Sequence, residues 1–124
     1  MAAWISQLRK GVVDLCILQA VARHELYGYS LVQFLRQVPD LDFTESTIYP
    51  ALARLIEEGL IRATERPSPV GPARRYLSLS AAGQRRLLEM RDYWQRVGQS
   101  IEQLTQLPEK GPTHAPRSGR RSGL

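Results

Sequence analysis

The side chains best equipped for chemistry fall into a few groups. Ser46, Thr47 and Tyr49 carry hydroxyls and Arg54 a guanidinium within one short stretch, and such groups hydrogen-bond phosphate oxygens or the edges of nucleic-acid bases. Arg74 and Arg75 add adjacent fixed positive charges, while Trp94 offers a flat aromatic surface. No catalytic set accompanies them. No Gly-rich phosphate loop follows a strand, and no nucleophile, base and orienting acid stand in a recognisable spacing, which argues against an enzyme. Cys16 is the single cysteine, so a disulfide framework and a multi-cysteine zinc site are excluded. It lies in the most apolar segment and reads as a small buried hydrophobe. His24 and His114 are too far apart in the chain to suggest a metal site. No cofactor is expected.

The chain has 124 residues, with 17 basic and 12 acidic side chains and a formal charge of +5. That length suits one small domain. No segment offers the roughly 20 consecutive apolar residues that cross a bilayer. The opening residues lack the pattern of an export signal. A location in the cytoplasm without membrane contact is therefore expected. The charge is unevenly placed. Residues 109–124 hold Lys110, Arg117, Arg120 and Arg121 against Glu109, a local +3. This stretch is rich in Pro, Gly, Ser and Arg and too poor in apolar residues to offset ordering entropy, so 108–124 is expected to be a disordered basic tail. From Leu60 to Arg91, seven arginines face only Glu65 and Glu89, a local +5.

The elements that must position these groups follow from periodicity. Val12 to Ala22 is apolar on nearly every side, as in a helix buried between others. Trp4, Ile5 and Leu8 share a face on a preceding or continuous helical segment. A second helix is expected from Gly28 to Val38, with Leu31, Leu35 and Val38 on one side, ending at Pro39 and Asp40. A third begins at Thr44, whose hydroxyl suits an N-cap, and Glu45 suits the positive end of the helix dipole. Ile48, Leu52, Leu55 and Ile56 form its apolar stripe, and Gly59 stops it. Ser46, Pro50, Ala53 and Glu57 lie opposite, with Thr47, Tyr49 and Arg54 on the flanks. Pro50, inside the helix, removes one backbone bond and is expected to bend it.

Leu60–Glu65 and Arg74–Leu79 read as two strands of a hairpin whose tip, with three prolines and a glycine, excludes helix. Ser80 then caps a long final helix reaching Leu107. Along it Leu87, Met90, Trp94, Val97, Ile101 and Leu104 alternate spacings of three and four, a heptad seam. A helix of this length outruns the core the remaining residues can form, so part of the seam needs a partner, most simply a second copy of the chain.

The fold class is thus mainly α with a small β-hairpin. Residues 1–79 form a winged helix-turn-helix, and 80–107 a long C-terminal dimerisation helix. In a winged helix-turn-helix the third helix enters the DNA major groove and the hairpin tip meets the backbone. Taken alone, the polar third-helix face is ordinary solvated surface, and a winged helix can also serve as a protein–protein adaptor without DNA binding.

Three stretches carry a resemblance: LYGYSLV (Leu26 to Val32), STIYPALARLIEEGLI (Ser46 to Ile61) and GPARRYLSLSAAG (Gly71 to Gly83). Together they resemble the phenolic-acid-responsive (PadR) family of bacterial transcriptional repressors over residues 11–107, in its smaller subfamily with a single long terminal helix. One departure is Tyr27, where members commonly have His. The resemblance implies a homodimeric repressor of an inverted-repeat operator in double-stranded DNA. It also implies DNA contacts from Ser46, Thr47, Tyr49, Pro50, Arg54, Arg74 and Arg75, and a dimer built by the N-terminal and terminal helices through Trp4, Ile5, Leu8, Leu87, Met90, Trp94, Val97, Ile101 and Leu104. The run YWQRVGQSIEQL is similar to that of multidrug-binding members in which paired tryptophans line a pore at the dimer centre. That similarity implies a small aromatic effector near Trp94, with Trp4, Leu8, Asp92, Arg96 and Val97 as walls.

Overall fold

A computed structural model describes residues 2–109. The chain forms α1 (Ala3–Lys10), α2 (Val13–Arg23), β1 (Leu26–Tyr27), α3 (Gly28–Arg36), α4 (Glu45–Glu57), β2 (Ile61–Arg66), β3 (Arg74–Leu79) and α5 (Ala81–Gln106). Its contacts define two compact units, one ending at Tyr93 and the other beginning at Trp94. The expected tail from residue 110 onward lies outside the described residues.

In the first unit, α2, α3 and α4 close over a core in which Ile17, Leu18, Leu31, Val32, Ile48, Leu55 and Ile61 are fully buried. Each such side chain contributes on the order of 1.5–3 kcal/mol through removal from water. α1 and α2 are separate helices, because the chain tightens at Gly11 and Val12, whose amides donate to Leu8 and Arg9 three residues back. No residue of α1 is buried.

The expected two-stranded hairpin is one part of a three-stranded antiparallel sheet of order β1-β3-β2. Leu26 pairs with Leu77 and Tyr27 with Tyr76. β1 places Leu26 in the core and leads directly into α3. There the Ser30 hydroxyl accepts from the Tyr27 amide (2.9 Å) and donates to the Tyr27 carbonyl (3.0 Å).

The end of α4 is set by Gly59, which adopts a left-handed φ of 79°. The amides of Gly59 and Leu60 donate back to the carbonyls of Ile56 and Leu55 at 3.0 Å, the paired closure that makes glycine the preferred residue there. At the start of α4, Thr44 holds the N-cap position but makes no side-chain cap bond. Its hydroxyl is bonded to those of Ser46 (3.0 Å) and Thr47 (3.1 Å) instead.

Ser80 caps α5 as its sequence position implies: its hydroxyl accepts from the Gly83 amide at 3.0 Å and donates to the Gly59 carbonyl at 2.6 Å. One side chain thus ties the α5 start to the α4 end. Gly83 and Leu87 on the first turns of α5 are buried, and Met90 packs partly against the same core.

Cys16 is partly buried against this core. Burial raises its thiol pKa above the ordinary range, with the Arg9 charge opposing in part. Less thiolate is therefore present near neutral pH than on an unfolded chain. Alkylation by iodoacetamide is expected to be slower in the native protein than in denaturant at the same pH. Equal rates would contradict a core role for this thiol.

Candidate nucleic-acid interface

Four elements assemble the polar surface. The apolar stripe of α4 (Ile48, Ala51, Leu52, Leu55) faces the core. Its opposite face (Ser46, Pro50, Ala53, Glu57) is exposed, with Tyr49 exposed and Thr47 half-buried at its edges. Pro50 sits inside the helix. It can donate no backbone hydrogen bond, so the Ser46 carbonyl lacks its usual helical donor at this position. Small residues and hydroxyls along this face let another molecule approach the helix backbone closely.

The α3 start lies against the same region: a Cβ on Gly28 would stand 3.4 Å from the Tyr49 ring. Desolvation, then the charges of Glu45 and Tyr29, raise the Tyr49 phenol pKa, with Arg36 opposing. Tyr49 is therefore a neutral hydroxyl near pH 7, able to donate to an anionic oxygen.

Arg54 has a partner that its position in the sequence did not reveal. Its guanidinium makes a two-pronged bond to the Asp14 carboxylate of α2, at 2.7 and 3.0 Å, with Glu58 at 3.7 Å. Hydrogen bonding and charge from Asp14 raise the Arg54 pKa further. The fork joins α4 to α2 and occupies donors that a base edge or phosphate would need.

The wing supplies the cations. β2 and β3 bring Arg66 opposite Arg74 and Glu65 opposite Arg75. The guanidinium of Arg66 lies 3.9 Å from the centroid of Tyr76, and that of Arg74 lies 4.4 Å from the centroid of Tyr27. Tyr27 and Tyr76 meet edge to face at 5.6 Å. Tyr27, the departure from the usual His, is thus part of a stack that fixes Arg74. The sequence reading named Arg74 and Arg75 as contacts but not Arg66 or the two tyrosines; the hairpin register was the signal that could have found Arg66 and Tyr76, whereas Tyr27 joins them only through β1.

The residues expected at a dimer centre lie on two helices, α1 and α5. On α1, Trp4 and Leu8 are exposed and Ile5 is half-buried. In the second unit Trp94, Ile101 and Leu104 are exposed and Val97 is half-buried. Asp92 and Arg96 lie on α5 among exposed residues. Leu87, by contrast, is buried in the subunit's own core and Met90 packs partly against it, because the first turn of α5 is held close to Leu60 at Gly83. The exposed part of the heptad seam runs from Trp94 onward. A cavity of about 480 Å³, walled by Leu15, Cys16, Phe34, Leu35, Val38 and Leu41, opens beside α2 and α3. None of those positions carried a ligand signal in the sequence. Among the described residues no cluster of metal-ligating side chains occurs and no helix is long and apolar enough to cross a membrane.

A helix-turn-helix with an exposed small-residue face on its last helix, flanked by a basic β-wing, defines the winged-helix class of DNA-binding proteins. The family model of PadR-like transcriptional regulators matches residues 17–89. A transcriptional regulator from Streptococcus is similar in structure, with 40% identity and a TM-score of 0.72 over 80% of this chain and 97% of that one. A PadR-like transcriptional regulator from Bacillus cereus has 34% identity and a TM-score of 0.72, covering 82% of this chain and 99% of that one. A PadR-like transcription factor from Bacteroides fragilis has 29% identity and a TM-score of 0.68, covering 80% and 95%. No curated protein matches the chain. The chain belongs to the PadR-like family of transcriptional regulators, which regulate by binding DNA and are not enzymes.

Proposed function

We propose that this protein is a homodimeric repressor that binds an inverted-repeat operator and is released by a small aromatic effector. The observation that carries the reading is the apolar seam on α5, where Trp94, Ile101 and Leu104 are 57%, 58% and 68% exposed. Large side chains at heptad spacing are stable in water when a second helix covers them. Two copies joined there present two α4 helices, one to each half-site. Repression then follows from occupying the promoter. Ser46, Thr47 and Tyr49 meet bases or phosphates from α4, Pro50 shapes the approach, and Arg74 and Arg75 meet the backbone from the wing. The fork to Asp14 supports a bracing role for Arg54 on α4 in place of the expected DNA contact. The exposed Trp94 ring offers a stacking surface near the dimer centre, with Trp4, Leu8, Asp92, Arg96 and Val97 as walls. An effector bound there releases DNA if it favours a dimer state with a different half-site separation.

Selection of bound fragments from random duplex DNA tests this. An inverted repeat is expected, with half-sites about one helical turn apart, and planar aromatic compounds should both quench Trp94 fluorescence and weaken binding to the selected site. Enrichment of a single unrepeated site would refute the dimeric reading, and fluorescence indifferent to such compounds would refute the effector.

A further inference from the structure

The two arginines that face each other across the wing are in different electrostatic states, and the difference comes from one residue outside the wing. Pairing of Thr64 with Tyr76, Arg66 with Arg74, and Tyr27 with Tyr76 puts these five side chains on one face of the sheet. Leu26, Ile61 and Leu77 occupy the other face, in the core. On the outer face Arg66 is held from two sides: its guanidinium stacks on Tyr76 at 3.9 Å, and its Nη2 donates to Glu25 Oε2 at 2.8 Å. Glu25 belongs to the α2–β1 connection and is 69% exposed. Arg74 stacks on Tyr27 at 4.4 Å, and none of the ion pairs among the described residues involves it. Stacking uses only the flat face of a guanidinium and leaves its in-plane N–H donors available to an oxyanion.

We infer that Glu25 acts as an internal substitute for a DNA phosphate on Arg66, so that the wing offers Arg74 but withholds Arg66 from the backbone, and Glu25 thereby sets the protein's affinity for DNA. The inference rests on the reading that the wing meets DNA. Its physical basis is that a carboxylate and a phosphate oxygen compete for the same donors of one guanidinium. The pair also relieves repulsion, since like charges directly opposite on neighbouring strands are destabilising. Being exposed, it adds little stability, so removing Glu25 leaves the fold intact and frees one cation.

The test is a fluorescence-anisotropy titration of the full-length protein with a labelled duplex of arbitrary sequence, over about 50–200 mM salt. Each phosphate contact adds about 0.9 to the slope of log affinity against log salt. Glu25→Gln is expected to steepen that slope by about 0.9 and to tighten binding roughly five- to tenfold near 0.1 M salt. Arg66→Ala should leave the slope unchanged in the natural chain yet reverse the steepening in the Glu25→Gln background. Arg74→Ala should flatten the slope by about 0.9 in both. Glu89→Gln adds the same charge on an exposed part of α5, at a carboxylate in none of the ion pairs among the described residues, and should leave the slope as it was. The inference is overturned if Glu25→Gln binds like the natural chain, if Glu89→Gln steepens the slope equally, or if Arg66→Ala alone flattens it. A natural chain that binds duplex without any salt dependence overturns the DNA reading itself, and the inference with it.

Discussion

Replacing Gly83 by Ala is expected to destabilise the protein by about 2–4 kcal/mol, although alanine is the better helix former by up to about 1 kcal/mol. The reason is a close approach between backbones. A Cβ on Gly83 would overlap the Leu60 carbonyl oxygen and lie 2.9 Å from its carbon. These are main-chain atoms, so no side-chain rotation relieves the overlap; α5 or the start of β2 must move. Either motion disturbs the bonds that converge there, the Ser80 amide to the Leu60 carbonyl at 3.0 Å and the Ser80 hydroxyl to the Gly59 carbonyl at 2.6 Å. Overpacking costs roughly 1–3 kcal/mol, and the strained hydrogen bonds add about 0.5–1.5 kcal/mol each. Thermal unfolding followed by circular dichroism should show a melting point lower by on the order of 10 °C or more. Gly98→Ala is the control, because a Cβ there meets nothing within 4 Å. It should be neutral or raise stability by about 0.5–1 kcal/mol. A Gly83→Ala variant as stable as its Gly98→Ala counterpart would disprove the close approach.

Gly83 also shows where reading the sequence alone stops. A glycine just inside a helix looks like a propensity defect until the strand that touches it is known. The helices were legible because each is closed by local chemistry: Gly59 ends α4 through bonds to residues a few positions back, and Ser80 starts α5. The apolar stripe of α4 was equally plain from its spacing. β1 was not, because two residues are too few to show alternation and Leu26 and Tyr27 become a strand only by pairing with residues some fifty positions later. The Asp14–Arg54 fork and the Glu25–Arg66 pair share that limit, with partners 40 and 41 residues apart. Thr44 fails differently. Its position was right, but neighbouring hydroxyls on Ser46 and Thr47 compete for its side chain. At the candidate interface, residue types marked the α4 face and the wing, while only the tertiary contacts show that Arg54 and Arg66 are paired within the fold.

Substituting charge into the outer seam is expected to have the largest effect on DNA binding while leaving the fold untouched. Ile101 and Leu104 are exposed in the single chain, so Ile101→Glu with Leu104→Glu removes nothing from the subunit's own core. In the proposed dimer the same positions are buried, and unpaired buried carboxylates cost several kcal/mol each. Every 1.4 kcal/mol is a tenfold change in the association constant, which moves dimerisation out of the working concentration range. Light scattering should then report a monomer mass where the natural chain reports twice that. DNA affinity should fall with it. Joining two half-site readers makes the second contact intramolecular, at an effective concentration in the millimolar range, and its loss weakens binding to an inverted repeat by roughly 10²–10⁴-fold. Binding to an isolated half-site should change far less, because α4 and the wing lie in the first unit and carry no substitution. Circular dichroism and melting at low concentration separate this outcome from misfolding. A double variant that keeps its dimer mass, or that becomes monomeric yet binds the inverted repeat as tightly as before, would refute the proposed role of the α5 seam.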